Sequence, residues 1–315
     1  MVLLLAAAWF AVDRLGITAS DIADLRNELG PPRPGELALA LVLLSASDII
    51  AMFLWRQAIA DLGGPRLGIL EGLALFGAGN LARYLPGGLW HFAGLAVLGA
   101  EKGVSVALSS AAAVLTHVAS VLTAFLVGIT VFFTGPDVLR PWAPWAVAAV
   151  GAGVAVASVP SVFRAVSRRL IQRAKAQAES GGDEPTAASL EPAAGPRGLY
   201  WMGAQLVVWL GRGTAFWLLA NGVGIQIELE LAVTAFAAAH AVGFVVFLAP
   251  AGVGVRDGSL VLLLTQQIGL APAAALALAT RVWMTLTELI TVSTLMAVSG
   301  TGRRPPLMGS TRDDS

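Results

Sequence analysis

The feature that most constrains this chain is a succession of long apolar stretches parted by short punctuation. A helix needs about 20 apolar residues to cross roughly 30 Å of hydrocarbon at 1.5 Å per residue. Residues 37–59, 104–134, 143–160, 199–220 and 272–298 meet or approach that length. Only 13% of the 315 residues are charged against 57% hydrophobic, too few charges to coat a water-soluble protein of this size. The sequence therefore predicts an all-α polytopic membrane protein. The opening run, residues 2–12, is too short to span alone and lacks the basic start of a signal peptide. It is read as a first membrane helix, either interrupted or lacking its beginning.

Two further apolar stretches are cut near their middles. Residues 67–100 break at Arg83-Tyr84-Leu85-Pro86-Gly87-Gly88, and residues 231–270 break at Ala249-Pro250-Ala251-Gly252-Val253-Gly254-Val255-Arg256-Asp257-Gly258. Proline removes a helical donor and clashes with the preceding turn, while neighbouring glycines free the backbone. Neither stretch is expected to run as one helix. The arm after each break is about a dozen residues, roughly 18 Å, too short to cross.

Charge placement orients these pieces, because loops on the cytoplasmic side carry the excess of Lys and Arg. Arg164, Arg168, Arg169, Arg173, Lys175 and Arg197 fall between two spans, and Arg303, Arg304 and Arg312 follow the last. Both segments, 161–198 and the 301–315 tail, are expected to be cytoplasmic. The second broken stretch must then enter and leave on one side, as a re-entrant hairpin. By the same parity, residues 67–100 form a hairpin of opposite sense. The predicted order is helix, helix, hairpin, helix, twice over: about six spans and two hairpins in one membrane domain, 1–300. An odd number of crossings per half makes residues 143–300 inverted relative to 1–140, the pattern of many secondary transporters. Residues 161–178 suit an amphipathic surface helix or a plain topology anchor. Residues 179–196 read as a flexible linker, and the tail as disordered.

At the breaks the sequence resembles the lysylphosphatidylglycerol synthase transmembrane-region family. The run Arg83 to Gly94, followed by Glu101-Lys102-Gly103-Val104-Ser105, is similar to that family's first signature. Ala249 to Asp257 is similar to its second; Gly88, Ala251 and Asp257 depart from the usual residues, and the first helix is short. The resemblance implies a multi-pass bacterial inner-membrane protein, similar to the flippase half of enzymes that aminoacylate phosphatidylglycerol and move it between leaflets. With about 17 residues after the last span, the soluble synthase domain of those enzymes is expected to be absent.

The residues themselves suit phosphate handling. Arg83 and Arg256 flank the breaks, where a guanidinium can fork onto a phosphodiester and half-helix N-termini add positive potential. Alternatively each arginine snorkels to the interface and Asp257 neutralises Arg256. Arg281 and Glu288 share a face of the last span; they line a path, or pin that helix to a neighbour, with Arg212 as a further partner for Glu288. Asp48 and Glu71 are similar cases, Glu71 being nearer an end and more solvated. The candidate headgroup-binding set is Arg83, Tyr84, Pro86, Gly87, Trp90, His91, Pro250, Gly252, Gly254, Arg256, Asp257, Arg281 and Glu288. His117 reads as an interhelical hydrogen-bond donor, and nothing selects His240.

Other chemistries have little raw material. There is no cysteine, and the three histidines have no second ligand at i+3 or i+4, so no metal or cofactor is expected. Twenty basic residues balance twenty acidic ones, which gives no reason to expect nucleic acid. No nucleophile elbow, zinc helix or phosphate loop occurs, and no enzyme is predicted. The expected function is a flippase binding an anionic phospholipid between the hairpins. The alternative is a non-transporting scaffold or regulatory partner of a separate lipid synthase or glycosyltransferase, with homo-oligomers open in either case.

Overall fold

Pro34 opens α1 (Pro34–Asp61) at a position where a missing backbone N–H costs nothing, and Glu36 in the first turn accepts from Arg33 at 3.1 Å. The computed structural model describes residues 30–81, 95, 98–99, 102–135, 137–158, 165, 168–169, 172, 198–247 and 254–299. Among them no strand occurs. After α1 come α2 (Ile69–Leu81), α3 (Val106–Gly128), the single turn α4 (Val131–Thr134), a 3-10 segment (Asp137–Trp142) and α5 (Ala143–Ser158). Then follow α6 (Gly198–Gly222), α7 (Leu229–Phe247), α8 (Val255–Ile268) and α9 (Leu270–Ser299).

Pro34–Asp61, Leu108–Gly128 and Leu270–Ser299 are long and apolar enough to cross a membrane, whereas the 13-residue α2 covers only about 20 Å. Residues 199–220 lie within α6 and residues 143–158 form α5. The stretch 104–134, expected as one span, is interrupted: α3 ends at Gly128 and the chain turns at Ile129 and Thr130 before α4. Ala165, Arg168, Arg169 and Gln172 are helical and exposed. Residues 2–12, the breaks at 83–88 and 249–253, the linker 179–196 and the tail 301–315 lie outside the described residues.

Apolar side chains point both ways. Leu39 and Val42 of α1, Val118 of α3 and Ile290 of α9 face outward, while Ser47, Thr280, Thr287 and Glu288 are buried between helices. In water that distribution would be unstable; in lipid it puts hydrocarbon against hydrocarbon and polar groups against one another. α1 lies along α6, α2 along α9, and α7 along α3, with α8 against α7 and α9. Two cores result. Trp55 meets Phe76 at 5.1 Å in the first, and Phe216 stacks on Phe236 at 5.2 Å in the second.

The turns closing α1 and α6 match in detail. Gly63 (φ 85°) sends its N–H to Ala60 while Gly64 N–H reaches Ile59; Gly224 (φ 88°) and Ile225 do the same to Asn221 and Ala220. Each is a Schellman cap, which consumes the last carbonyls of the helix and needs a residue that tolerates a left-handed backbone.

Helix separation is set by small residues. A Cβ on Gly213 would fall 2.7 Å from Val233 Cα, and one on Gly128 would fall 2.8 Å from the backbone of Ala238. Gly128→Leu and Gly213→Leu are each expected to cost about 1–3 kcal/mol through overpacking. Gly151→Leu, where a Cβ meets nothing within 4 Å, is expected to be neutral. Unfolding of the three variants in mixed micelles checks this, and equal losses in all three would refute close packing at α3/α7 and α6/α7.

Candidate functional site: a charge cluster at mid-helix

The long helix α9 serves as a ruler for the site. α2 runs along its C-terminal half: Gly77 lies against Val292, and Asn80 Nδ2 donates to Glu288 Oε1 at 3.0 Å. α8 runs along its N-terminal half, joined to it through Gly269, and the start of α8 reaches Arg281 and Met284. The end of α2 and the start of α8 therefore approach α9 from opposite directions and stop between positions 281 and 288. That interval is about 10 Å of an axis about 45 Å long.

The chemistry at the start of α8 follows from its first turn. Gly254 holds φ at 94°, a value costly for a residue with a Cβ, and leads directly into Arg256 and Asp257. Arg256 donates through Nε (2.9 Å) and Nη2 (2.7 Å) to Asp257 Oδ1, and Arg281 Nη1 donates to Asp257 Oδ2 at 2.6 Å. One carboxylate thus holds two guanidiniums, leaving one positive charge in excess. These side chains are only a quarter to a third exposed. Arg256 Nη1 is left to two weaker neighbours, His240 Nε2 at 3.5 Å and Met284 Sδ at 3.8 Å. A fork-shaped donor with one corner unspent by carboxylate, beside the positive end of a helix, is suited to a phosphate oxygen.

His240 is fixed by its surroundings. Its Nδ1 lies 2.8 Å from the Phe236 carbonyl, which only accepts, so Nδ1 carries the hydrogen and Nε2 is the bare nitrogen of the neutral ring. The imidazole packs on Phe236 (4.2 Å) and Trp209 (5.4 Å). Arg212 sits over Trp209, 5.5 Å from the ring centre, and donates twice to Asp48 Oδ1, at 3.2 and 2.8 Å. A cavity of about 10 Å³ lined by Arg212, Phe236, Trp283 and Met284 lies alongside, about the least room that admits one water.

Arg256, Asp257, Arg281 and Gly254 of the candidate set come together here, and Glu288 lies one to two turns along α9. Arg83, Tyr84, Pro86, Gly87, Trp90, His91, Pro250 and Gly252 lie outside the described residues. Some expected pairings differ and some hold. Arg212 answers Asp48, not Glu288, which accepts from Asn80, while Arg281 pins α9 to α8 through Asp257, which also pairs with Arg256, as the alternative readings had it. Glu71 is not merely solvated but paired with Lys102 at 2.7 Å. The Nδ1 contact of His117 is to Ala113 of its own helix, 2.8 Å away, and its ring meets Phe244 of α7. His240 was missed. A signal existed: Phe76-x-x-x-Asn80 in α2 and Phe236-x-x-x-His240 in α7 place a polar residue four positions after a core aromatic, at the same distance from each helix start.

These features define a multi-pass helical membrane protein with a partly exposed polar cluster between helices, net positive among the described residues. Among the described residues no trio of His, Asp or Glu gathers as a metal site would need. The model of the lysylphosphatidylglycerol synthase TM region family matches residues 1–290, and the chain belongs to that family. No curated protein and no solved structure matches it.

Removing the shared carboxylate leaves two guanidiniums facing each other. Asp257→Asn is expected to destabilise by about 1–2 kcal/mol, less than a fully buried pair because water reaches the group. Adding Arg281→Gln removes one of the two repelling charges, so a double-mutant cycle in mixed micelles should read a coupling of about 1 kcal/mol. Strict additivity would refute the shared pairing.

Proposed function

We propose that this chain is a lipid transporter of the flippase type, which holds the phosphate of an anionic phospholipid at Arg256 and Arg281 while the acyl chains stay in lipid. The observation that carries this reading is the charge count at the start of α8: two arginines, one aspartate, and one guanidinium corner free of the carboxylate. An arginine near the bilayer centre costs about 2.5–3.5 kcal/mol on insertion scales. A structural pair would neutralise that charge; an excess of one calls for an anion.

In this reading the two broken stretches are re-entrant hairpins of an inverted repeat, 1–140 and 143–300, in a single membrane domain. Support comes from the opposite approach of α2 and α8 along α9, from the reciprocal pairing of α2 with α9 and α7 with α3, and from the matched caps at Gly63 and Gly224. Broken backbone at membrane depth is tolerable where it lines a watery cavity. The segments 161–198 and 301–315 are assigned to the cytoplasm of a bacterial inner membrane. No catalysis is assigned to these residues.

The test is headgroup translocation by the full chain in proteoliposomes containing a labelled phosphatidylglycerol. Arg256→Ala and Arg281→Gln are expected to slow translocation by about tenfold or more, the worth of one charge-assisted bond. Unchanged rates in both variants would remove the site. Absence of translocation of any anionic lipid by well-folded protein would favour the scaffolding role.

A further inference from the structure

We infer that His240 is a proton-binding site coupled to the anion site, so that one proton is taken up with each anionic headgroup. The inference rests on the proposed anion site and adds its co-substrate. It starts from the ring's orientation. With Nδ1–H committed to the Phe236 carbonyl, the neutral imidazole presents a lone pair at Nε2 to Arg256 Nη1, 3.5 Å away. That contact holds back the corner of Arg256 that the carboxylate leaves free. Protonation at Nε2, by a proton from water, converts the acceptor into a donor. The imidazolium and Arg256 then both present N–H groups to the space between them and repel each other unless an anion bridges them. Proton and anion each raise the other's affinity, as linkage requires. Deprotonation to water on the far side restores the His240–Arg256 contact and expels the anion.

The neighbours of His240 favour this role. On α8, Arg256 is bound by Asp257, which also holds Arg281 of α9, so the carboxylate has both oxygens engaged. On α6 the imidazole meets Trp209, with Arg212 over that ring and already paired to Asp48 of α1. On α3 the nearest titratable group is His117, whose ring lies on Phe244, one turn beyond His240 on α7. The single turn α4 brings none. Among these described groups the two carboxylates each hold arginines, so a proton on His240 adds positive charge beside the proposed anion site. Gly243 keeps the contact short: a Cβ there would lie 2.8 Å from Arg256 Cβ.

The test uses the purified full chain in detergent and calorimetric binding of dihexanoyl phosphatidylglycerol. Buffers of different ionisation enthalpy count the protons taken up. Wild-type affinity is expected to rise about tenfold from about pH 8 to about pH 5.5, with proton uptake approaching one per lipid. His240→Gln, which keeps a polar group but cannot charge, is expected to bind with no such rise and no uptake; His240→Asn serves if that variant folds poorly. Dimethyl phosphate, a soluble diester that does not titrate in this range, forms the second arm. Uptake with either probe supports the coupling, and uptake with the lipid alone assigns the headgroup as its source. Binding with the same pH profile in wild type and both variants overturns the proton site and leaves the anion site standing. No binding of either probe to wild type at any pH overturns both.

Discussion

The interaction on which the site depends is the sharing of Asp257 by Arg256 and Arg281. It ties the first turn of α8 to the middle of α9, and so fixes the level along α9 at which α8 begins. A helix that begins inside a membrane protein has four N–H groups without helical partners and a positive end. Placing two arginines beside that end would be prohibitive without a counter-charge, and a second carboxylate would extinguish any attraction for an anion. One carboxylate between two guanidiniums satisfies both demands. It fixes the geometry and leaves the sign of the site positive.

The surroundings preserve that arrangement without filling it. Gly254 lets the chain enter α8 through a left-handed backbone, and Gly243 admits Arg256 against α7. Met284 meets the free corner of Arg256 with a polarisable sulfur, a contact that yields readily to a better acceptor. Trp209 packs against His240 beside this cluster and against Arg212 of the Asp48–Arg212 pair, so one aromatic ring touches both groups.

Much of this was legible in the sequence, and the reasons for the rest are physical. Long apolar runs report helices because lipid leaves the backbone no other partner, and residues 37–59, 199–220 and 272–298 indeed lie within α1, α6 and α9. Gly254, Arg256, Asp257 and Arg281 stand out in the sequence because charge in an apolar stretch is expensive and glycine beside proline interrupts a helix. Their partners were not legible. Spacing along one helix put Arg281 and Glu288 on a shared face, but which neighbour each meets depends on where α8 and α2 stop, a tertiary matter. The end of α3 at Gly128 was hidden too, since the residues after it are as apolar as those before. His240 carried no cost signal: a neutral imidazole in an alanine-rich helix looks like a packing residue until the fold brings an arginine to it.

Under the proposed repeat, the two halves share a scaffold and differ in chemistry. Phe76 and Phe236 occupy matching places, each against an aromatic of the preceding helix, and four residues later α2 carries Asn80 where α7 carries His240. The amide donates to Glu288 and cannot titrate; the imidazole faces Arg256 and can. In that arrangement two half-helices oppose each other, and this difference helps make them chemically unequal. Under the proposed proton coupling the inequality has an energetic use. Carrying a bare anion across a membrane potential costs or releases about 2.3 kcal/mol per 100 mV, whereas an anion accompanied by a proton moves no net charge. A site of this composition would therefore couple movement of the headgroup to the pH difference across the bilayer, not to its voltage.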